Sequence, residues 1–228
     1  MRGVFVAGTD TGVGKSILAA AVCAGLAARG EKVAAFKPAV TGLREKPPPG
    51  WAADHELLAS VASAGQSPGE VSPHLYDWPL SPHYAAELAG DRIEPTELLA
   101  KARSLADRAE ALVCEGVGGL LVPLTPGYLI RDLALDLGLP LVLAARSALG
   151  TINHTLLTLE AARTAGLDVR GVVMTPWPGE QDDVAQSSRR TVELIGDLPV
   201  TRLPPIDRDG VADAGGRLPL DDWLGPRL

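Results

Sequence analysis

The clearest chemistry in the chain lies in nine consecutive residues, Gly8-Thr9-Asp10-Thr11-Gly12-Val13-Gly14-Lys15-Ser16. Glycines let a backbone curl until successive N–H groups face inward. Lys15 in such a curl reaches the β- and γ-phosphates of a nucleotide, and the Ser16 hydroxyl ligates Mg²⁺. The apolar run Val4-Phe5-Val6-Ala7 before it predicts a buried strand, and the alanine- and leucine-rich stretch from Ile17 to Ala28 predicts a helix. Strand, glycine-rich loop and helix in that order are the context of a phosphate-binding loop, because the helix dipole adds its positive end to the loop N–H groups. One detail departs from the common spacing: Thr9 stands where the first glycine is expected and Gly8 lies one residue earlier, so the loop is longer by one.

Other candidate groups sit just after apolar runs. Glu115 follows Leu112-Val113-Cys114, the place for a second acidic group on Mg²⁺, with Glu where Asp is more usual. Mg²⁺ takes few protein oxygens and keeps several waters, so Ser16, Glu115 and one further carboxylate suffice. Lys37, after Lys32 to Phe36, is either an exposed lysine or a cation for charge developing on a transferred phosphoryl group. Asp54, on composition, reads first as a helix N-cap. Leu149-Gly150-Thr151-Ile152-Asn153-His154 opens a helix; its start is either capped by Thr151 or Asn153 or free to hold an anion such as a carboxylate. His55, His74 and His83 share no metal-ligand spacing and read as surface or loop residues.

The elements that must position these groups alternate. Further strands are expected at Lys32 to Phe36, Ala111 to Cys114, Leu141 to Ala145, Val169 to Met174 and Val200 to Leu203. Helices are expected at Ala52 to Ala64, Pro82 to Ala89, Pro95 to Ala109, Leu129 to Leu137, Thr151 to Ala165 and Asp182 to Ile195. Thr41 to Gly50 and the proline-rich Pro73 to Pro82 read as irregular. The alternation predicts a parallel sheet with helices on both faces, and ligands in such sheets bind at the carboxyl ends of the strands. The strand-end groups are therefore the loop at 8–16, Lys37 with Thr41, Glu115 with its glycines, Arg146 to Asn153, Thr175, and Pro204-Pro205.

The chain has 228 residues, 46% hydrophobic and 21% charged, which suits a single large α/β domain over 1–228. The net charge of −7 and the lack of a long basic run argue against nucleic acid or an anionic membrane as partner. Cys23 and Cys114 lie in apolar runs and read as small core residues. With no leader pattern before the first strand and no apolar run of membrane-spanning length, the expected location is cytoplasmic.

Taken together, the motifs resemble the dethiobiotin synthase family of the P-loop NTPase superfamily. The resemblance rests on residues 8–16, Lys37-Pro38 with Thr41-Gly42, Asp54, Ser81-Pro82-His83, Glu115-Gly116-Val117-Gly118-Gly119 and residues 149–154, in order and spacing, and fades beyond Thr175. The longer loop is that family's own form. The resemblance implies a three-layer P-loop fold and an ATP-dependent ligase closing a ring in biotin biosynthesis. Its substrates would be 7,8-diaminononanoate, CO₂ and MgATP, and its assembly a homodimer. It implies that Thr11, Gly12, Val13, Gly14, Lys15, Ser16, Thr175, Pro204 and Pro205 hold the nucleotide. Ser16, Asp54 and Glu115 would hold Mg²⁺, and Lys15 and Lys37 would stabilise the transferring phosphoryl group. Thr41, Ser81, Gly118 and Gly119 would meet the diamine, and Gly150, Thr151, Ile152 and Asn153 of the neighbouring subunit its carboxylate.

Three departures bear on function. The family often has asparagine, reading adenine, where this chain has Thr175, and often serine at Thr41. Residues 200–228, which in the family help enclose the base, match it poorly. The competing readings are a partitioning or cell-division switch ATPase, a switch GTPase, and another amide-forming ligase of the same fold. The first usually carries a further lysine early in the loop, where this chain has Thr9, Asp10 and Thr11. The second needs Asn-Lys-x-Asp, which does not occur, and Asp207-Arg208-Asp209-Gly210 lies after the last strand.

Overall fold

Six mutually parallel strands carry the molecule. The computed structural model describes residues 1–224; the rest of the C-terminal stretch, 225–228, lies outside the described residues. In chain order the first half comprises β1 (Gly3–Gly8), α1 (Lys15–Ala28), β2 (Val33–Phe36), β3 (Ala39–Thr41), α2 (Asp54–Val61), α3 (Pro68–Val71), β4 (His74–Tyr76), α4 (Pro82–Ala89) and α5 (Pro95–Ala106). Next come β5 (Ala111–Gly119), β6 (Pro123–Thr125), β7 (Tyr128–Leu129), α6 (Ile130–Leu137), β8 (Leu141–Ala145), α7 (Thr151–Thr164) and β9 (Val169–Met174). The chain closes with α8 (Asp183–Gly196), β10 (Val200–Arg202), α9 (Val211–Gly216) and α10 (Leu220–Trp223).

The sheet order is β10-β9-β8-β1-β5-β2, so β1 is central and its carboxyl end points into the phosphate loop. Side chains alternate across each strand and feed two cores. Val4 and Val6, with Val113, Val142 and Ala144, pack under α1, α2, α9 and α10. Phe5 and Ala7, with Leu112, Cys114, Leu141 and Leu143, pack under α5, α6, α7 and α8. The central strands β1, β2 and β8 are buried on both faces, which is why they read as unbroken apolar runs. Cys23 and Cys114 are buried free thiols, one in each core.

Helices α1 and α9 cross at two glycines. A Cβ on Gly215 would stand 2.0 Å from the Ala21 carbonyl oxygen, so only glycine permits this approach. The C-terminal region, unassigned beyond Leu203 by the sequence pattern, is thereby folded onto the helix that leaves the phosphate loop.

Several expectations are corrected. Thr41 and residues 74–76, expected to be irregular, belong to a two-stranded parallel sheet of residues 39–41 and 74–76, with Thr41 opposite Tyr76. Strands of three residues among prolines carry too little periodicity to be read. The strand expected to end in Glu115 runs to Gly119, because β1 keeps pairing with it as far as Gly8 opposite Gly119. The hairpin β6–β7 and the short helices α3, α9 and α10 had no counterpart in the sequence pattern. His55 is 7% exposed and thus a buried residue, not a surface one. His74 lies in β4, and its Nδ1 meets the Asp91 carboxylate at 2.9 Å. His83 lies in α4 with its Nδ1 buried.

Candidate functional site

The phosphate loop joins β1 to α1, and its curl is set by glycines in the left-handed region. Gly12 has φ 69° and Gly14 φ 88°, and a Cβ on Gly14 would lie 2.6 Å from the Thr175 methyl. Gly14 is the N-cap of α1, with no side-chain cap and no acidic residue in the first turn. The helix N-terminus therefore remains open for an anion. Lys15 turns back across the loop and donates to the Asp10 carbonyl oxygen at 2.8 Å. Burial pulls its ammonium pKa down to about 8, against the attraction of Glu115.

A compact ionic cluster sits beside the loop. The Ser16 hydroxyl donates to Oε1 of Glu115 at 2.8 Å. Lys37 Nζ donates to the same Oε1 and to Oδ2 of Asp54, each at 2.5 Å. Glu115 is fully buried and Lys37 3% exposed. Burial works to lower the Lys37 pKa, but Glu115 and Asp54 outweigh it and hold the lysine charged, well above its ordinary value. Burial pushes the Glu115 carboxyl up, and Lys37 pulls it back only in part. Asp54 is also desolvated, yet Lys37 holds it below its ordinary value. Asp54 is the first residue of α2, not its N-cap; Ala53 has that place. Its carboxylate is spent on Lys37 and not on capping. The exposed-lysine reading is thus overturned: Lys37 is buried and paired with two carboxylates.

The cluster opens into a cavity of about 660 Å³ at the carboxyl ends of the strands. Thr11, Gly12, Gly14, Lys15, Ser16, Lys37, Thr41, Asp54, Glu115, Gly118, Thr175, Pro204 and Pro205 all line it. Val13 does not; its side chain is in the core, so only its backbone can meet a phosphate. Gly119 ends β5 outside the lining, and Ser81 is the N-cap of α4, also outside. Gly150, Thr151, Ile152 and Asn153 start α7 and do not reach this cavity. Thr151 is 4% exposed, with its hydroxyl 3.4 Å from that of Thr155 and its N–H donated to the Ala148 carbonyl at 3.1 Å.

Sequence reasoning missed one wall of the cavity. Leu43, Glu45, Lys46, Pro47, Pro48 and Trp51, from the proline-rich segment between β3 and α2, line the mouth. No motif marks these positions; the one available signal was that the segment lies between Thr41 and Asp54. It also assigned no role to Arg146, although its strand-end position had drawn notice.

The model of the AAA domain family matches residues 2–207. The ATP-dependent dethiobiotin synthetase BioD of Anaeromyxobacter dehalogenans (strain 2CP-1) is 43% identical over 205 residues, covering 90% of both chains. The chain belongs to the dethiobiotin synthetase family. The protein of the same name from Bacillus subtilis (strain 168) is 31% identical over 205 residues, 90% of this chain and 87% of that one. Membership makes the chain an ATP-dependent ligase of biotin biosynthesis, and its ATP-binding loop is that of a P-loop protein. Among solved structures, the cell division ATPase MinD of Pyrococcus furiosus aligns with a TM-score of 0.54 at 17% identity, over 94% of this chain and 89% of that one. That likeness shows the fold alone. The switch-ATPase reading is not better supported than the ligase, since the family match lies with dethiobiotin synthetases.

Proposed function

We propose that the chain, acting as a single domain, converts 7,8-diaminononanoate, CO₂ and ATP to dethiobiotin, ADP and phosphate. One amine of the substrate takes up CO₂ as a carbamate and loses a proton. A carbamate oxygen attacks the γ-phosphorus, the bond to ADP breaks, and a carbamic–phosphoric anhydride forms. The second amine attacks its carbonyl carbon, closes the ureido ring and expels phosphate. No side chain becomes covalently bound; the protein supplies position and charge. The observation that carries this reading is the Lys37 ammonium, buried between Glu115 and Asp54 and opening on the same cavity as Lys15 and Thr41. Lys15 and Lys37 would meet charge developing on the phosphoryl oxygens in a partly desolvated site. Thr41 and Gly118 would bound the amine end of the diamine, and Ser81 and Gly119, outside the lining, would act on it only indirectly.

Mg²⁺ belongs to this proposal, and the donor set fits it. Oε2 of Glu115 is buried with no hydrogen-bond partner among the described residues, and Asp54 and Ser16 are also hard oxygen donors. Two carboxylates and a hydroxyl, completed by waters and phosphate, are ordinary for Mg²⁺. Ser16, Asp54 and Glu115 would hold it, and it would supply positive charge to offset that of the phosphates. Thr175, Pro204 and Pro205 would bound the base.

The proposal includes a cytoplasmic homodimer. Its support is the α7 start, whose Gly150-Thr151-Ile152-Asn153 backbone lies away from its own subunit's cavity. A long substrate with amines at one end and a carboxylate at the other needs a second anchor, and a twofold partner can provide it. The deciding assay measures phosphate release with diaminononanoate and bicarbonate omitted in turn. Release should require both. Equal release without the diamine would overturn the ligase reading in favour of a free-running ATPase.

A further inference from the structure

Arg146 stands at the end of β8, in the connection to α7, and is 54% exposed at its side chain. Its Nη2 donates to the Thr11 carbonyl oxygen at 2.8 Å, and its guanidinium is 3.7 Å from the Asp10 carboxylate. The Asp10 Oδ1 in turn accepts the Thr11 N–H at 2.7 Å. Thr11 is thus held at both its backbone groups. Arg146 is not part of the cavity wall, whereas Thr11 and Gly12 are.

In a trans peptide the carbonyl and the following N–H point in opposite directions. A Thr11 carbonyl drawn out toward Arg146 therefore turns the Gly12 N–H the other way, toward the cavity. That N–H has no acceptor among the described residues. Gly12, at φ 69°, has the freedom to sit in this turn. The loop is one residue longer than the common form, and a longer loop has more conformations to lose. An exposed ion pair at the distance of Arg146 and Asp10 contributes little; the directional bond to a carbonyl is the part that orders the loop.

We infer that Arg146 is a positioning residue of the phosphate loop: it holds the Thr11 carbonyl outward so that the Gly12 N–H faces the phosphates before nucleotide arrives. It does not touch the nucleotide. It spares binding the ordering of the loop, so its effect falls on affinity for ATP and ADP and not on the chemical step. The inference rests on the ATP-binding loop described above.

The test is calorimetric titration of ADP with Mg²⁺ into the full chain and its Arg146→Ala, Arg146→Gln and Arg146→Lys variants, at low salt and at about 0.5 M salt. Arg146→Ala should bind ADP about tenfold more weakly, the scale of one lost hydrogen bond to an ordered group. In turnover its KM for ATP should rise alike, with kcat and the KM for diamine within about twofold. Arg146→Gln keeps an N–H donor without the charge and should recover part of the loss. The deficit should persist at high salt. Unchanged ADP binding in Arg146→Ala overturns the inference. So does a deficit that vanishes at high salt, or one rescued by Lys but not by Gln, because either means a charge acting on phosphate. If Arg146→Ala melts far below the parent, the Gln and Lys variants carry the comparison. A parent chain that binds no ADP would instead overturn the phosphate-loop assignment itself.

Discussion

The Ser16 hydroxyl donates to Oε1 of Glu115 across 2.8 Å, joining residues 99 apart in the chain. The same carboxylate oxygen receives Lys37, and the other has no partner among the described residues. Glu115→Gln keeps the shape and removes the charge. The Mg²⁺ concentration for half-maximal turnover should rise about 10–100-fold, the usual scale for loss of a group that holds or orients a metal. Lys37 loses the charge of its buried partner and keeps only the partly exposed Asp54, so stability should fall by about 1–3 kcal/mol. Mg²⁺ titration and urea denaturation separate the two effects. An unchanged Mg²⁺ requirement removes Glu115 from the metal site.

Base selection is expected to be weak. Thr175 lines the cavity with a single hydroxyl, and its methyl packs on Gly14. An asparagine amide offers a donor and an acceptor to adenine; one hydroxyl cannot match both. Turnover with ATP, CTP and GTP should therefore differ by less than about tenfold, and Thr175→Asn should widen the preference for ATP by about that factor. A strong ATP preference that Thr175→Asn leaves unaltered would mean that another part of the cavity reads the base.

The arm that carries Thr41 has its own pH signature. Tyr76, opposite Thr41 in β4, donates its hydroxyl to Asp91 at 2.7 Å. The hydrogen bond from Tyr76, then that with His74, holds the Asp91 carboxyl below its ordinary value of 3.8. A carboxyl with a lowered folded pKa adds stability that is present above the unfolded value and is lost as pH falls through the folded one. Tyr76→Phe should cost about 1 kcal/mol at pH 7. That gap should narrow as pH falls below the ordinary carboxyl value of 3.8 and Asp91 takes its proton. Urea denaturation at pH 7, 5 and 3 measures it. A gap constant over this range would assign the whole effect to packing.

The shared-site dimer is tested by mixing two inactive variants. Lys37→Ala removes the chemistry in its own subunit. The docking site for the substrate carboxylate is blocked at Asn153, which is exposed, and not at Thr151, whose side chain faces inward. Asn153→Glu places a negative charge at the α7 start. In a mixed dimer one site collects both defects and the other neither, so equal mixing and refolding should restore about a quarter of full activity. No recovery, or a fully active monomer, would end the shared-site reading.

What was legible in the sequence was local. The phosphate loop could be read because its glycines, lysine and serine must be contiguous to curl around one anion. The strands β1, β2, β5 and β8 could be read because their apolar runs are buried on both faces, and α1 because its alanines and leucines face a core. Glu115 could be read because it ends an apolar strand. The β3–β4 pair could not, since three-residue strands among prolines show no period and gain their bonds from a partner more than thirty residues away. His55 misled for the same reason: a histidine carries no local mark of whether its helix face will be buried.

The sequence by itself determined the loop, the order of strands and helices, and through its spaced motifs the family and its ATP-dependent chemistry. Only the tertiary structure decided how charged groups share space. Lys37 could have been a surface lysine and Asp54 a cap; the closing of β2 and β5 beside the start of α2 makes them partners over Glu115. Which of the candidate glycines and hydroxyls face the cavity, and that Arg146 rather than a loop residue holds the Thr11 carbonyl, were likewise decided there. The physical reason is that a local pattern records what one segment needs from its neighbours in sequence. Ion pairs, desolvation and cavity walls depend on distances between segments, which exist only after the sheet has assembled.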